Sequence, residues 1–366
     1  MKFSIIRSKF IEALKSVQSV VAGKGTLAVL QNALVEAKEG ELKLTTTDLD
    51  ISTSCKVDCR VAEEGATTLP VKLLFNAIAK AAEGDVEIKV DENDVASISA
   101  GSARFRITGL SEREFPRLPQ DEEAYIYEVE AATLKEMLRK TSYAASQDDT
   151  RRTLKGELMS FKDRKLTMVA TDGRRLALVE KEVEFPQSEE RDIILPSKAV
   201  QELQRSLGNG EAMVKIRVNK SQICFEAGNV TIYSKLMEDS YPNYLQVIPK
   251  ECREEITVDR QLLLDALERA SVMTMDEAHS TKLIFGDNRL TVSAAASEIG
   301  SASDEVPIKY AGERIEILFN PNYVMDPLRA IDDDEVKIEL NNGHSPAVIR
   351  CSIPFLYVLM PLRTNN

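Results

Sequence analysis

Apolar residues along this 366-residue chain fall into two periods, and the alternation between them repeats. In KFIEALKSVQSVVA, starting at Lys9, the residues Phe10, Leu14, Val17 and Val21 recur at intervals of 4, 3 and 4, one face of an amphipathic helix. The same face returns at Leu134, Leu138 and Thr141 in ATLKEMLRKTSYAA, and at Leu262, Ala266 and Leu267 in RQLLLDALERASVM. A segment of period 2 follows each time, the signal of a strand: ELKLTTTDLDIS, RKLTMVATDGRRLALV and NRLTVSAAASEIGS. A second helix then opens behind Pro70, Pro196 and Pro321, which lie 126 and 125 residues apart. Short alternating runs close each third: VEIKV and ISAGSARFRITGL, then AMVKIRV, QICFEA and VTIYSKL, then EVKIEL, AVIRCSI and YVLMPLR.

The chain therefore reads as three helix–strand–helix–strand units of about 122 residues, each divisible into two halves. Polar stretches SEREFPRLPQDEEA and QVIPKECREE put the boundaries near Gln120 and Pro249, giving units 1–120, 121–249 and 250–366. Short strands of period 2 predict an α+β fold of antiparallel sheets, with the helices packed on one face.

The stretch VATDGRRL, Val169 to Leu176, has the composition of an active-site loop, with a carboxylate beside a glycine and two arginines. The repeat argues otherwise. Asp172 lies 124 residues after Asp48 in TTTDLD, and 124 further on stands Ala296. A carboxylate present at the end of two strands and absent from the third is a turn former, and Asp-Gly is a strong turn dipeptide. Only His279 and His344 are available for imidazole chemistry. The run Asp332, Asp333, Asp334, the candidate for a carboxylate metal-dependent nuclease, follows a predicted helix and reads as a solvated turn. The short Gly23–Gly25 motif lacks the spacing of a P-loop. No catalytic residue, metal or cofactor is expected.

Cys55, Cys59, Cys224, Cys252 and Cys351 are scattered and odd in number, which suits reduced thiols in a cytoplasm. No run approaches the roughly 20 apolar residues that span a bilayer, so no membrane partner is expected. The absence of tryptophan and the 5% aromatic content disfavour a stacking platform for single-stranded nucleic acid. The net charge of −12 looks wrong for any nucleic-acid binder until it is located. The six predicted helices together carry +5, so the rest of the chain carries −17. Four of the six are basic and the two of the last third are not. A basic helical surface facing a polyanion, with an acidic remainder, fits that partition.

The opening MKFSIIRSKFIEAL, the block TLAVLQNALVEAKEGELKLTTTDLDIS, VATDGRRLALV, KLMEDSYPNYLQVIP and the terminal YVLMPLR together resemble the bacterial DNA sliding clamps, the beta subunit of DNA polymerase III, over the full length. The resemblance implies three clamp-type domains, each with two helices packed on antiparallel sheets, and two chains closing head to tail into a six-domain ring around duplex DNA. It implies a homodimer interface at Phe105 and Ile107 against Val272 and Met273. It implies DNA-facing cations at Lys24, Lys72, Arg152, Lys198 and Arg205, with Lys9, Lys15, Arg139 and Lys140 contributing by helix position, while Asp148 and Asp149 put acid near that path.

It also implies that VATDGRRL lines a hydrophobic pocket for short linear motifs of polymerases, the clamp loader and repair proteins. The matching positions are Leu154, Thr171, Gly173, Arg174, Arg175, Leu176, Pro242 and Val247 on one side. On the other are Asn320, Tyr323, His344, Val358, Met360, Pro361, Leu362 and Arg363. The family often has histidine where Arg174 stands, arginine at Gln246 and methionine at Leu362, so the polar rim differs. The competing reading outside catalysis is a monomeric repeat scaffold that binds proteins and never encircles DNA.

Overall fold

The computed structural model describes the chain except residues 22–26, 118–123, 209, 211, 275–279, 297–299, 353 and 363–366. Among the described residues there are six α-helices: α1 (Arg7–Val17), α2 (Val71–Ala79), α3 (Ala131–Thr141), α4 (Ser197–Ser206), α5 (Arg260–Ser271) and α6 (Pro321–Ala330). Two of them begin at a side-chain cap. Asp259 caps α5 by accepting from the Leu262 amide at 2.8 Å, and Asn320 caps α6 ahead of Pro321 at the first turn. The helices are shorter than the amphipathic pattern suggests, mainly at their C-terminal ends: α1 stops at Val17, and α3 stops at Thr141, where a 3-10 turn over Ser142–Ala144 takes over.

The chain divides into two compact units, Met1–Lys135 with Lys198–Leu236, and Glu136–Ser197 with Met237–Asn366. In the first, a five-stranded sheet runs Arg60–Glu63, Lys2–Ile6, Asp85–Val90, Val95–Ala100, Ala103–Thr108. An eight-stranded sheet runs Tyr125–Glu130, Met213–Val218, Gln222–Ala227, Val230–Lys235, Ile51–Asp58, Glu41–Thr47, Asn32–Lys38, Gly65–Pro70. In the second unit an eight-stranded sheet runs Arg191–Pro196, Gly156–Lys162, Lys165–Thr171, Arg175–Glu182, Phe355–Leu359, Ala347–Arg350, Glu335–Leu340, Glu254–Asp259. A four-stranded sheet there runs Gly300–Pro307, Arg289–Ala296, Thr281–Gly286, Ile315–Phe319. Ladders between these strands are antiparallel, and α1 and α2 pack together in the first unit as α5 and α6 do in the second.

Each eight-stranded sheet is two four-stranded halves joined at a seam. In the first unit Val230 pairs with Cys55 and Ser234 with Ile51. In the second Phe355 pairs with Val179 and Leu359 with Arg175. Moving 125 residues along one strand and 124 along the other converts the first seam into the second, so the sequence repeat extends to pairing register. The strand Ala103–Thr108 takes the place in the repeat that Val230–Lys235 and Phe355–Leu359 hold, and Gly300–Pro307 the place of Ile51–Asp58 and Arg175–Glu182. Each is the last strand of its sheet, with one edge unpaired.

Candidate functional site: a groove on the second seam

The turn that joins Lys165–Thr171 to Arg175–Glu182 is built by Asp172. Its Oδ1 accepts from the amides of Arg174 at 2.8 Å and Arg175 at 3.0 Å, and Gly173 takes φ +83°. Asp48 forms the same turn, accepting from Asp50 at 3.0 Å and Ile51 at 2.9 Å. Asp172 is thus a turn carboxylate with its lone pairs committed.

The two arginines after it part company. Arg175 begins the strand and turns inward, 9% exposed. It meets Asp172 at 3.1 Å, Asp326 through a short ion pair, and the Tyr143 carbonyl at 2.5 Å, and lies 4.2 Å from the Tyr323 ring centroid. Burial works against its charge, and Tyr357, Asp326 and Asp172 outweigh burial, so its pKa is raised. Arg174 is exposed and faces a cavity of about 340 Å³, lined also by Ala145, Ser146, Gln147, Asp148, Arg151, Asp172, Arg175 and Tyr323. Asp148, expected near the DNA path, also lines this cavity. The Thr150 hydroxyl and amide hold its pKa low, so it stays ionised. Asp149 pairs with Lys155. The sequence reading missed Ala145 to Asp148 and Arg151 as cavity residues; the Asp-Asp-Thr run that bends the chain back was the available signal.

The residue after Arg175 along its strand points to the opposite face, and there lies an apolar floor. Leu176 and Val358 face each other across the seam, both buried, in a cluster with Leu158, Val169, Leu178, Val348 and Leu356. Tyr241, Tyr244 and Ile248 pack on the cluster from the segment that carries Pro242 and Val247. Val247 is 40% exposed and Leu362 37%, so both present apolar surface to solvent. Met360 donates its amide to the Arg174 carbonyl at 2.9 Å, and Leu362 to Leu318 at 2.8 Å, which ties the C-terminal strand to the turn. Pro361 sits half-buried between them. Asn320 caps α6, and the Tyr323 carbonyl accepts from the Tyr357 hydroxyl at 2.7 Å. Thr171 donates to the Arg175 carbonyl at 2.6 Å, and Leu154 accepts from the Ser146 amide at 2.8 Å. His344 lies on an exposed turn held by Asn342. Arg363 lies outside the described residues.

The other expected positions fall elsewhere. Lys72, Arg152, Lys198 and Arg205 are exposed, and Lys24 lies outside the described residues. Lys198 reaches Asp48 at 2.7 Å, and Arg205 lies 3.7 Å from Glu202. Lys15 is exposed, and Lys9 stands 4.0 Å from Asp58. Of the helix cations expected to contribute, Lys140 is fully buried against Glu136, while Arg139 is partly exposed and paired with Asp332. Phe105 is half-buried and Ile107 buried in the first unit's own core, while Val272 is 60% exposed and Met273 half-buried. In the acidic run after α6, Asp333 accepts from the Ser352 hydroxyl and amide, so both Asp332 and Asp333 serve as structural partners.

A chain of like units joined at equivalent seams, with an apolar floor and an arginine-rimmed cavity on one seam, defines a repeat-built docking scaffold. Three family models cover it: DNA polymerase III beta subunit, N-terminal domain over residues 1–119, central domain over 128–243 and C-terminal domain over 245–363. The beta sliding clamp of Chlamydia muridarum is 31% identical across all of both chains. The DNA polymerase III beta subunit of Bartonella birtlesii, solved with griselimycin, is 32% identical with a TM-score of 0.95, and that of Bacillus subtilis 27% with 0.95; each covers all of this chain. The chain belongs to the DNA polymerase III beta-subunit family, the sliding clamps, and is a processivity factor of three clamp domains.

Proposed function

We propose that two copies of this chain, with domains 1–120, 121–249 and 250–366, close head to tail around duplex DNA in the cytoplasm and act there without catalysis. The observation that carries this reading is the shared seam. Two equivalent strand pairs occur at one register, and the third such pair is split between the open edges Ala103–Thr108 and Gly300–Pro307. An unpaired edge of this kind is a template for strand addition. Two chains supply two such pairs and leave neither of these two edges open. Lys72, Arg152, Lys198 and Arg205, with Lys24, contact phosphates without reading bases, which permits sliding. The groove on the second seam takes short linear motifs of polymerases, repair proteins and the clamp loader. Their apolar anchors fill the floor over Leu176 and Val358, and Arg174 fixes their orientation.

The test is retention on circular DNA after loading with the matching clamp loader and ATP, measured before and after one linearising cut. Retention on circles with rapid loss after the cut supports encirclement. Equal retention on both means surface binding, which favours the monomeric scaffold.

A further inference from the structure

The first seam has a cavity of its own, about 230 Å³, lined among others by Leu49, Asp50, Pro116, Arg117, Tyr233 and Lys235. These are the repeat counterparts of the second-seam groove. Leu49 and Asp50 stand 124 residues before Gly173 and Arg174; Tyr233 and Lys235 stand 125 before Val358 and Met360; Pro116 stands 126 before Pro242. The backbone agrees bond for bond. Lys235 donates to the Asp50 carbonyl at 2.9 Å, as Met360 does to Arg174. Leu49 donates to the Thr47 hydroxyl at 3.1 Å, as Gly173 does to Thr171.

The side chains differ, and they differ coherently. The valine and methionine of the second seam become tyrosine and lysine, and Arg117 adds an exposed cation beside Pro116. Lys235 is shared with Asp50 at 3.1 Å in a solvent-exposed pair, which is weak and exchangeable. Leu49 is the telling residue. It takes φ +81° where its counterpart is a glycine at +83°, and it leaves 47% of its surface in water. A leucine in the left-handed region is strained, and an exposed one gains little from burial in return. Local stability selects against that residue, and a ligand that covers it selects for it.

We propose that the first seam carries a second docking groove, for a short protein segment in which a large apolar side chain is flanked by carboxylates. The apolar side chain packs on Leu49, Pro116 and Tyr233. One carboxylate meets Arg117 and another draws Lys235 away from Asp50. The argument rests on the reading that the equivalent second-seam groove binds linear motifs.

The experiment measures fluorescence anisotropy of two fluorescein-labelled peptides on the full-length protein. One is acidic, Asp-Glu-Leu-Phe-Asp-Glu; the other is neutral, Gly-Ser-Leu-Ala-Leu-Phe. Leu49→Gly and Arg117→Glu are expected to weaken the acidic peptide at least tenfold and leave the neutral one unchanged, while Leu362→Asp does the reverse. Leu49→Gly relieves strain, so an unchanged or higher melting temperature shows that its loss of binding is not misfolding. Acidic-peptide binding that is absent, or indifferent to Leu49→Gly and Arg117→Glu, overturns the second groove alone when the neutral peptide still binds in a Leu362-dependent way. If neither peptide binds, the second-seam reading falls with it.

Discussion

Leu49 and Glu157 show what single positions hold against local stability. Leu49→Gly removes a left-handed leucine, and the added unfolded-chain entropy of glycine offsets part of the gain. The variant is expected to be more stable by about 0.5–1 kcal/mol, read as a higher urea midpoint. Glu157 is 1% exposed; its Oε1 accepts from the Thr141 hydroxyl, and its Oε2 has no hydrogen-bond partner among the described residues. Burial pushes its pKa to about 8, with Thr141 opposing. The folded value lies above the ordinary 4.5, so between pH 4.5 and 8 the folded state holds the proton that the unfolded state releases. The protonated carboxyl's support is full below pH 4.5 and is lost as pH rises to 8, by at most about 1.4 kcal/mol per pH unit. Glu157→Gln is therefore expected to melt close to the parent at pH 4.5 and well above it at pH 8. Parallel melting curves at both pH values would exclude this account. The sequence marked VATDGRRL as a turn, because the twin at Asp48 was visible. It did not show that Arg175 turns inward and Arg174 outward, since that depends on where the strand begins and hence on the seam partner.

At the scale of elements, the helices and hairpins were legible because their signals are local: period, proline and Asx turn. The seams were not, because nothing in Val230–Lys235 names Ile51–Asp58 as its neighbour across some 180 residues. Once the register is known it extends to the open edges. The hairpins align Ala227-Gly228 with Ala100-Gly101, which makes Phe105 the counterpart of Ile232. Ile232 pairs with Thr53, whose counterparts are Ala177 and, through the ladder Ala295↔Ser301, Ala302. Phe105 of one copy is thus expected opposite Ala302 of the other. Arg104 then lies diagonal to Glu305, a favourable cross-strand pair. A Phe105→Cys, Ala302→Cys double variant should form a covalent dimer on mild oxidation, visible by non-reducing electrophoresis. Each single variant should not. A ladder shifted by one residue would instead put Ala302 beside residues of the opposite face, and the double variant would stay monomeric.

At the scale of the molecule the charge decides between two ways of holding DNA. The observed helices are more basic than the sequence pattern suggested, at +6, because Asp259 falls outside α5 and the other differences at the helix ends cancel in charge. Yet of their twelve lysines and arginines Lys140 is buried, and Arg7, Lys9, Arg139, Lys198, Arg205, Arg269 and Arg329 each stand within 4.0 Å of a carboxylate, so few are left without an acidic neighbour. A protein of net charge −12 with so few free cations is a poor surface binder of DNA. Were it held by phosphate contacts, even six of them would lose about a thousandfold in affinity between 50 and 200 mM salt. Were it held by linkage, escape from a closed circle would require parting the strand pair at Phe105, which raised salt strengthens through its apolar part. The lifetime on closed circles should therefore change less than about threefold over that salt range. On linear DNA it should stay short throughout. A lifetime on circles that falls with salt as steeply as a phosphate count demands would put the retention in the helices' cations and not in closure.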